Sequence, residues 1–220
     1  MSDEFFREVD EEYRRDRISE IWKKHSNLII SVVALVIIGV GGYRYWENAQ
    51  LNKAQDASMR FMQATSLIQQ GKNSDAEQIL GSLSKDAPES YVLLSRFTAA
   101  GDLVAKDTDG AIREYNALAA DSKISTDWRD YAKLRSAMLR MNAADPSSAQ
   151  SDLELLSNNS AWRHTAKEML VLLFIEKGDQ AAARRWLDAI EQDAETPPSL
   201  RTRLPLYTGI LDGGVVQTVK

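Results

Sequence analysis

An uninterrupted apolar run extends from Leu28 to Tyr43 (LIISVVALVIIGVGGY), and Ser31 is its only polar residue. Lys24 and Arg44 bracket the run, with nineteen uncharged residues between them. As a helix this stretch is about 28 Å long, close to the hydrocarbon thickness of a bilayer. A helix that is apolar on every side is rare in the core of a small domain. The pattern therefore favours a transmembrane helix over a buried one.

Residues typical of membrane–water interfaces stand at both ends of the run. Indole and phenol rings are favoured at that depth, and basic side chains fix the position of the span. We therefore predict a transmembrane helix over residues 26–46, anchored by Trp22, Lys23, Lys24, Arg44, Tyr45 and Trp46.

A cleaved signal peptide is the alternative interpretation of the same run. Signal peptides begin with a short basic segment and end in small residues before the cleavage site. Here the leading segment is 27 residues long and carries six Lys/Arg against eight Asp/Glu. The sequence after the run, YRYWENAQ, has no small-x-small pattern. We therefore expect an uncleaved anchor.

The basic residues near the span predict its orientation. Within about twenty residues, five lie on the N-terminal side and three on the C-terminal side. We expect residues 1–25 to form a cytoplasmic arm and the rest of the chain to lie across the membrane. In a Gram-negative bacterium that places the anchor in the inner membrane and the C-terminal domain in the periplasm.

After the span, apolar residues recur at three- and four-residue spacings, which is the helical pattern. Glycines and prolines divide this region into predicted helices near 46–70, 74–85, 89–105, 109–120, 126–143, 147–157, 161–177, 180–193 and 198–211. The run 169–175 is too short to span a bilayer and is predicted to be the most buried helix. The predicted fold class is all-α.

A repeat becomes visible when the shorter helices are superposed. Each carries an alanine followed four residues later by a larger apolar or aromatic residue: Ala76 and Leu80, Ala111 and Tyr115, Ala149 and Leu153, Ala183 and Leu187. The alanines are 35, 38 and 34 residues apart. Twelve residues before them stand Ala64, Ala99, Ala137 and Val171. A small residue on one helix lets the alanine of the next approach closely, and such pairs bury their apolar faces by stacking.

The period and spacing resemble the tetratricopeptide repeat of 34 residues, in degenerate copies. That resemblance implies an α-solenoid of helix pairs over residues 47–212. The C-terminal segment GGVVQTVK begins with two glycines and is predicted to be a flexible tail, 213–220. A plain helical bundle with similar spacing is the alternative.

The order of parts also resembles a narrower group. An acidic–basic arm ends in Trp22-Lys23-Lys24, the span closes with Gly41-Gly42-Tyr43-Arg44-Tyr45-Trp46, and degenerate repeats fill the rest. This arrangement is similar to the ancillary subunit of the bacterial SecYEG translocon, a single-pass inner-membrane family. The resemblance implies assistance to exported proteins, with SecYEG and a membrane-anchored periplasmic chaperone as partners.

Composition narrows the chemistry further. The chain has no cysteine and two histidines, so thiol chemistry and a multi-histidine metal centre are disfavoured. A net charge of −5 disfavours nucleic-acid binding. His164 and Glu168, four residues apart on a helix, form a possible general-base pair or half of a metal site. A packed helical histidine is favoured. We predict no enzyme activity, catalytic residue, metal, cofactor or small-molecule substrate.

The aromatic residues of the repeat region admit two interpretations. Core packing between repeats is favoured for Trp128, Tyr131, Trp162, Phe174 and Trp186. The alternative places some of them on a surface that binds unfolded segments or a partner helix.

The predicted function is that of a membrane-anchored periplasmic scaffold that binds the lipid bilayer, the translocon, chaperones and exported clients. Two alternatives remain from the residues alone. One is a membrane-spanning regulator that couples periplasmic binding to a cytoplasmic signalling partner. The other is a cell-envelope or division scaffold.

Overall fold

A computed structural model describes residues 2–141 and 146–213, with side chains from Trp22 onward except at Ile29. The predicted tail lies outside the described residues apart from Gly213. The helices are α1 Ser2–Gln69, α2 Asn73–Asp86, α3 Glu89–Leu103, α4 Thr108–Ala120, α5 Thr126–Met141, α6 Pro146–Asn159, α7 Arg163–Glu176, α8 Gln180–Glu191, α9 Pro198–Arg201 and α10 Leu204–Leu211. Within the described ranges there are only helices, turns and loops. The all-α prediction is confirmed.

The described residues divide into two compact units, with the boundary between Asp56 and Ala57. The first unit consists of α1 up to that point. The second begins with the last turns of α1 and continues through α10. Helix α1 is continuous from Ser2 to Gln69, so the span and the predicted helix 46–70 belong to one element.

The second unit is built from helix pairs that stack on their neighbours in sequence. From α2 to α8 each helix packs on the next one along the chain, and α10 packs on α8. The end of α1 precedes α2, and the later pairs are α3 with α4, α5 with α6, and α7 with α8. This sequential stacking is the arrangement of an α-solenoid, which confirms that prediction.

A glycine lies in the turn between the two helices of the first pair and of the last pair. Gly71 and Gly178 adopt φ values of +73° and +72°, a left-handed conformation that side chains with a Cβ adopt at a cost. The amide of Lys72 donates to the carbonyl of Leu67 at 2.9 Å, which is the helix-ending bond of a Schellman motif. Asp179 then caps α8, because its carboxylate accepts from the amide of Ala182 at 2.9 Å.

The predicted helix over 198–211 is wrong in one respect: it is two helices, α9 and α10, separated by Thr202 and Arg203. Pro205 lies in the first turn of α10. Proline has no amide hydrogen and its ring collides with the carbonyl four residues earlier, so one continuous helix cannot pass through it unkinked.

Three apolar clusters among the described residues each join one helix pair to the next element. One unites α3, α4 and α5 around Tyr115 and Leu118. The next unites α5, α6 and α7 around Leu153 and Leu170. The last unites α7 and α8 with α9 and α10 around Leu187. In each of these clusters, the apolar face of a helix pair is buried with the help of the next element. Further buried apolar residues lie on the end of α1 and on α2: Ala64, Ala76, Leu80 and Leu83.

Candidate anchor and protein-binding surfaces

The apolar run on α1 has no protein neighbours within its unit. Every residue with a described side chain from Leu28 to Trp46 is exposed, including Leu35 at 73% and Ile38 at 74%. Among the described residues, α1 from Trp22 to Gln69 is the one helix long and apolar enough to cross a membrane. Ser31 donates its hydroxyl hydrogen to the carbonyl of Asn27 at 2.8 Å, so its polar group is satisfied inside the helix.

The residues predicted to lie at the membrane–water interface flank this exposed run. Trp22, Lys23 and Lys24 are exposed before it. After it, the rings of Tyr43 and Trp46 lie with their centroids 6.3 Å apart, and Tyr45 is 80% exposed. Arg44 pairs with Glu47 at 3.4 Å. The structure thus separates two aromatic and basic groups by one apolar stretch.

The eight repeat-packing residues all lie inside the second unit. Each alanine of the set is fully buried, and the larger residue four positions later is at most 2% exposed: Ala76 with Leu80, Ala111 with Tyr115, Ala149 with Leu153, and Ala183 with Leu187. The last three pairs occupy the three separate apolar clusters. They therefore act at successive seams of the stack and do not meet at one site.

The small residues on the partner helices are buried with one shift in register. Ala64, Ala137 and Val171 are fully buried, whereas Ala99 is half-buried and Ala100 is the fully buried residue on α3. The segment from Val104 to Asp107 connects α3 to α4. Its length makes the buried residue on α3 lie eleven residues before Ala111, at Ala100, and not the twelve residues that the repeat spacing predicted.

A buried polar network, not predicted from the sequence, joins α7 to the last helices. Glu168 is 5% exposed and accepts two hydrogen bonds of 2.8 Å from Arg203 and one of 2.6 Å from Tyr207. The Glu168 carboxylate raises the pKa of the Arg203 guanidinium. Burial, together with the hydrogen bond to Glu168, raises the pKa of Tyr207 to about 12.

Asp193 is the centre of a second polar cluster, formed with residues of α7. Its Oδ2 lies 3.0 Å from Nε2 of His164 and 3.2 Å from Nζ of Lys167. Bonds from the amide of Glu195, from Lys167 and from His164 lower the pKa of Asp193 to about 2. His164 and Glu168 thus have separate partners and form no pair. Within the described ranges, no group of His, Cys, Asp or Glu side chains is arranged to hold a metal ion.

Aromatic rings connect the first helices of successive pairs. Phe61 on α1 lies 6.2 Å from Tyr91 on α3, and Phe97 on α3 lies 5.4 Å from Tyr131 on α5. Tyr131 also lies 4.8 Å from Trp162, which precedes α7. These rings are partly buried between repeats, as are Phe174 and Trp186. Trp128 differs, because 40% of it is exposed.

The architecture has a match among known families. The family model described as a tetratricopeptide repeat-like domain matches residues 20–202, which include the apolar run and the helix pairs through α9. The chain belongs to this tetratricopeptide repeat-like family. The matched range covers the helix pairs that the spacing predicted.

Two curated relatives carry the name ancillary SecYEG translocon subunit. The protein from Aggregatibacter actinomycetemcomitans is 25% identical over 193 residues, covering 84% of this chain and 91% of the relative. The protein from Haemophilus influenzae is 24% identical over 192 residues, covering 84% and 90%. The resemblance inferred from the order of parts is thereby confirmed. No solved structure matches the chain.

The repeat domain has a pocket beside Trp128, between the start of α3 and the start of α5. Its volume is about 340 Å³, and Val92, Leu93, Ile124 and Trp128 supply its apolar wall. Arg96 and Asp121 form an ion pair of 2.7 Å at its edge. We call this the Trp128 pocket. It is a surface feature of a tetratricopeptide repeat-like domain, a class of fold that commonly presents extended surfaces to proteins.

Proposed function

We propose that this chain is a non-enzymatic, single-pass inner-membrane adaptor that works beside the SecYEG translocon and assists exported proteins. The observation that carries the proposal is that every described side chain of the apolar run is exposed, on a helix that continues into the first repeat. Such a helix requires lipid around its apolar part. The span confines the repeat domain to the membrane surface, which raises its effective concentration near other membrane proteins.

The proposed topology places residues 1–25 in the cytoplasm, residues 26–46 in the bilayer and the repeat domain, 47–212, in the periplasm. The five-to-three distribution of basic residues around the span supports this orientation. The absence of cysteine makes the test direct. We expect Leu155→Cys to react with a membrane-impermeant maleimide in intact cells, and Ser2→Cys to react after the inner membrane is opened. The reverse pattern would overturn the topology.

The proposed partners are SecYEG, a membrane-anchored periplasmic chaperone and the exported chains themselves. Support comes from the name that the two relatives share, ancillary SecYEG translocon subunit, and from a repeat fold of a class that commonly binds proteins. The lipid bilayer is the remaining partner, contacted by the six anchor residues from Trp22 to Trp46.

Isolation of the tagged full chain in native lipid nanodiscs tests the partners. A variant in which an unrelated single span replaces residues 26–46 is the matched control, because it keeps the repeat domain at the membrane. We expect SecY and a periplasmic chaperone to accompany the wild-type chain. Recovery of division, cell-wall or signalling proteins without SecY from both chains would overturn the translocon role and favour the alternative scaffolds or a regulator.

A further inference from the structure

The Trp128 pocket is an apolar concavity on the surface of the repeat domain, and the indole that forms part of its wall is partly exposed. Trp128 is 40% exposed, although its ring rests against Phe97 at 5.4 Å and Tyr131 at 6.0 Å. Neighbouring rings hold the indole in place before any ligand arrives. A preorganised side chain loses little conformational entropy on binding. Exposed tryptophans held in this way are typical of the residues that dominate binding energy.

The charges around the pocket cancel. Asp121 is paired with Arg96, and a hydrogen bond from Arg96, together with one from the amide of Lys123, lowers the pKa of Asp121. The remaining charged lining residues, Glu89 and Lys123, are exposed and of opposite sign. The edge therefore has two positive and two negative side chains. Such a balance attracts neither an acidic peptide nor a basic one, and it suits an uncharged segment.

The size of the pocket favours a small apolar group as its occupant. About 340 Å³ is near the lower limit for ligand pockets, which begin at roughly 300 Å³. A docked amphipathic helix requires a long groove for anchors at i, i+3, i+4 and i+7. A pocket this small instead admits one aromatic or one to two aliphatic side chains from an extended backbone.

We propose that the Trp128 pocket binds an uncharged, extended segment of an unfolded chain through one large apolar side chain. This inference deepens the proposed function and rests on it for the identity of the segment, a portion of an exported protein. The pocket assigns a specific ligand class to the repeat domain: segments that contain Phe, Leu or similar residues flanked by neutral ones.

Binding is measured with two acetylated and amidated decapeptides of Gly, Ser and Asn, labelled with fluorescein. One carries a central Phe-Leu and the other a central Ser-Ser. The full chain is held in phosphatidylethanolamine–phosphatidylglycerol nanodiscs, with empty nanodiscs as the blank for lipid partitioning. We expect saturable binding of the Phe-Leu peptide alone, changed less than twofold between 0.05 and 0.5 M salt, since the recognition is apolar.

Three variants locate the site. Trp128→Ala removes the platform, and Ser90→Phe fills the pocket from an exposed position on α3 without removing any packed residue. We expect each to weaken binding at least tenfold. Leu155→Ala removes a leucine that is 64% exposed on α6 and is expected to leave binding within twofold. Equal binding by Ser90→Phe and wild type, saturable binding of the Ser-Ser peptide, or a tenfold loss in high salt would overturn the inference.

The peptide-binding test of the pocket can fail or succeed independently of the test of the translocon role. Peptide binding uses purified protein, whereas the translocon role is tested by co-isolation with SecY. A chain that accompanies SecY but does not bind the Phe-Leu peptide contradicts the pocket assignment alone. A chain that binds the peptide but never accompanies SecY contradicts the translocon role alone.

Discussion

The apolar run of α1 and the apolar helix α7 have similar side chains and opposite environments. Leu35 and Ile38 of α1 are more than 70% exposed, whereas Leu170 and Val171 of α7 are fully buried. Helix α7 has neighbours on several sides, from α5, α6 and α8. Apolar content alone therefore does not decide whether a helix belongs to a protein core. The neighbours that the rest of the sequence supplies decide it, and a helix without them requires lipid.

The two helices also differ in how their polar side chains are hydrogen-bonded. In the apolar run, the hydroxyl of Ser31 is satisfied by its own helix. In α7, His164 and Glu168 are satisfied by residues 29 and 35 positions further along the chain. A core helix can carry buried polar groups because the fold brings partners to them, whereas a lone span cannot.

The largest expected effect comes from placing a charge on the buried side of α7. Leu170→Asp puts a carboxylate among the buried apolar side chains of α5, α6 and α7, and we expect a loss of at least about 4 kcal/mol in the free energy of unfolding. Urea unfolding followed by circular dichroism measures it. Leu155→Asp, at an exposed position, is the control and is expected to stay within about 0.5 kcal/mol of wild type. Equal effects would show that α7 is not central to the core.

The corresponding change in the apolar run should leave the repeats untouched. Ile37→Arg is expected to raise the free energy of membrane insertion by about 3 kcal/mol. The carbonate-resistant fraction in membranes measures the loss, and Ile37→Leu is the neutral control. If the arginine variant instead changes the unfolding of the repeat domain, the run packs against protein and the comparison with α7 fails.

Breaking the ion pair on α7 is expected to have an intermediate effect. Arg203→Gln leaves the Glu168 carboxylate, whose side chain is 7% exposed, with Tyr207 as its remaining partner. We expect the free energy of unfolding to fall by about 2 kcal/mol. The control is Arg185→Gln, for which a change near zero is expected in the same denaturation experiment. A loss shared by both variants would indicate a general charge effect.

Two glycine-to-alanine substitutions are expected to change the stability by smaller amounts and in opposite directions. Gly178→Ala forces a Cβ into a left-handed backbone, with an expected cost of about 1 kcal/mol. Gly81→Ala, on an exposed face in the interior of α2 with no atom near the added Cβ, is expected to stabilise by about 0.5–1 kcal/mol. Melting temperatures of both variants, measured against wild type, test the pair. Shifts in the same direction would contradict the assigned turn.

The pH dependence should arise in the network around α7 and not in the apolar run, which has no carboxylate from Leu28 to Val40. The pKa of Asp193 is lowered to about 2, so on acidification the unfolded chain takes up this proton first. The stabilisation from Asp193 is present above pH 4 and is lost as the pH falls from about 4 to 2. The difference in stability between wild type and Asp193→Asn should therefore shrink over that interval. A constant difference would contradict the network.

At alkaline pH, Tyr207 is expected to lose its stabilising contribution as the pH rises, whereas Asp193 loses its contribution as the pH falls. The pKa of Tyr207 is raised to about 12, so the unfolded chain loses the proton first and the stabilisation falls between about pH 10 and pH 12. Tyr207→Phe should remove this alkaline loss.

Local features of the fold could be predicted from the sequence, and long-range partners could not. The apolar run, the turns at Gly71 and Gly178 and the alanines at repeat spacing are encoded by residues close together in the chain. The division at Arg203 was missed although Pro205 signals it, because the apolar pattern continues through α10. The partners of His164 and Glu168 lie on elements with no periodic relation to α7, so spacing gave no signal. The shift from Ala99 to Ala100 depends on turn geometry.

Site-specific photo-crosslinking in the native membrane tests the central claim most directly. A photoreactive residue replaces Trp46 at the end of the span, and Arg113 or Arg184 on the exposed surface of the repeats. The adaptor account predicts adducts with SecY and with a membrane-anchored periplasmic chaperone, identified by mass spectrometry. Adducts with cell-wall, division or signalling proteins, and none with SecY at any position, would contradict it.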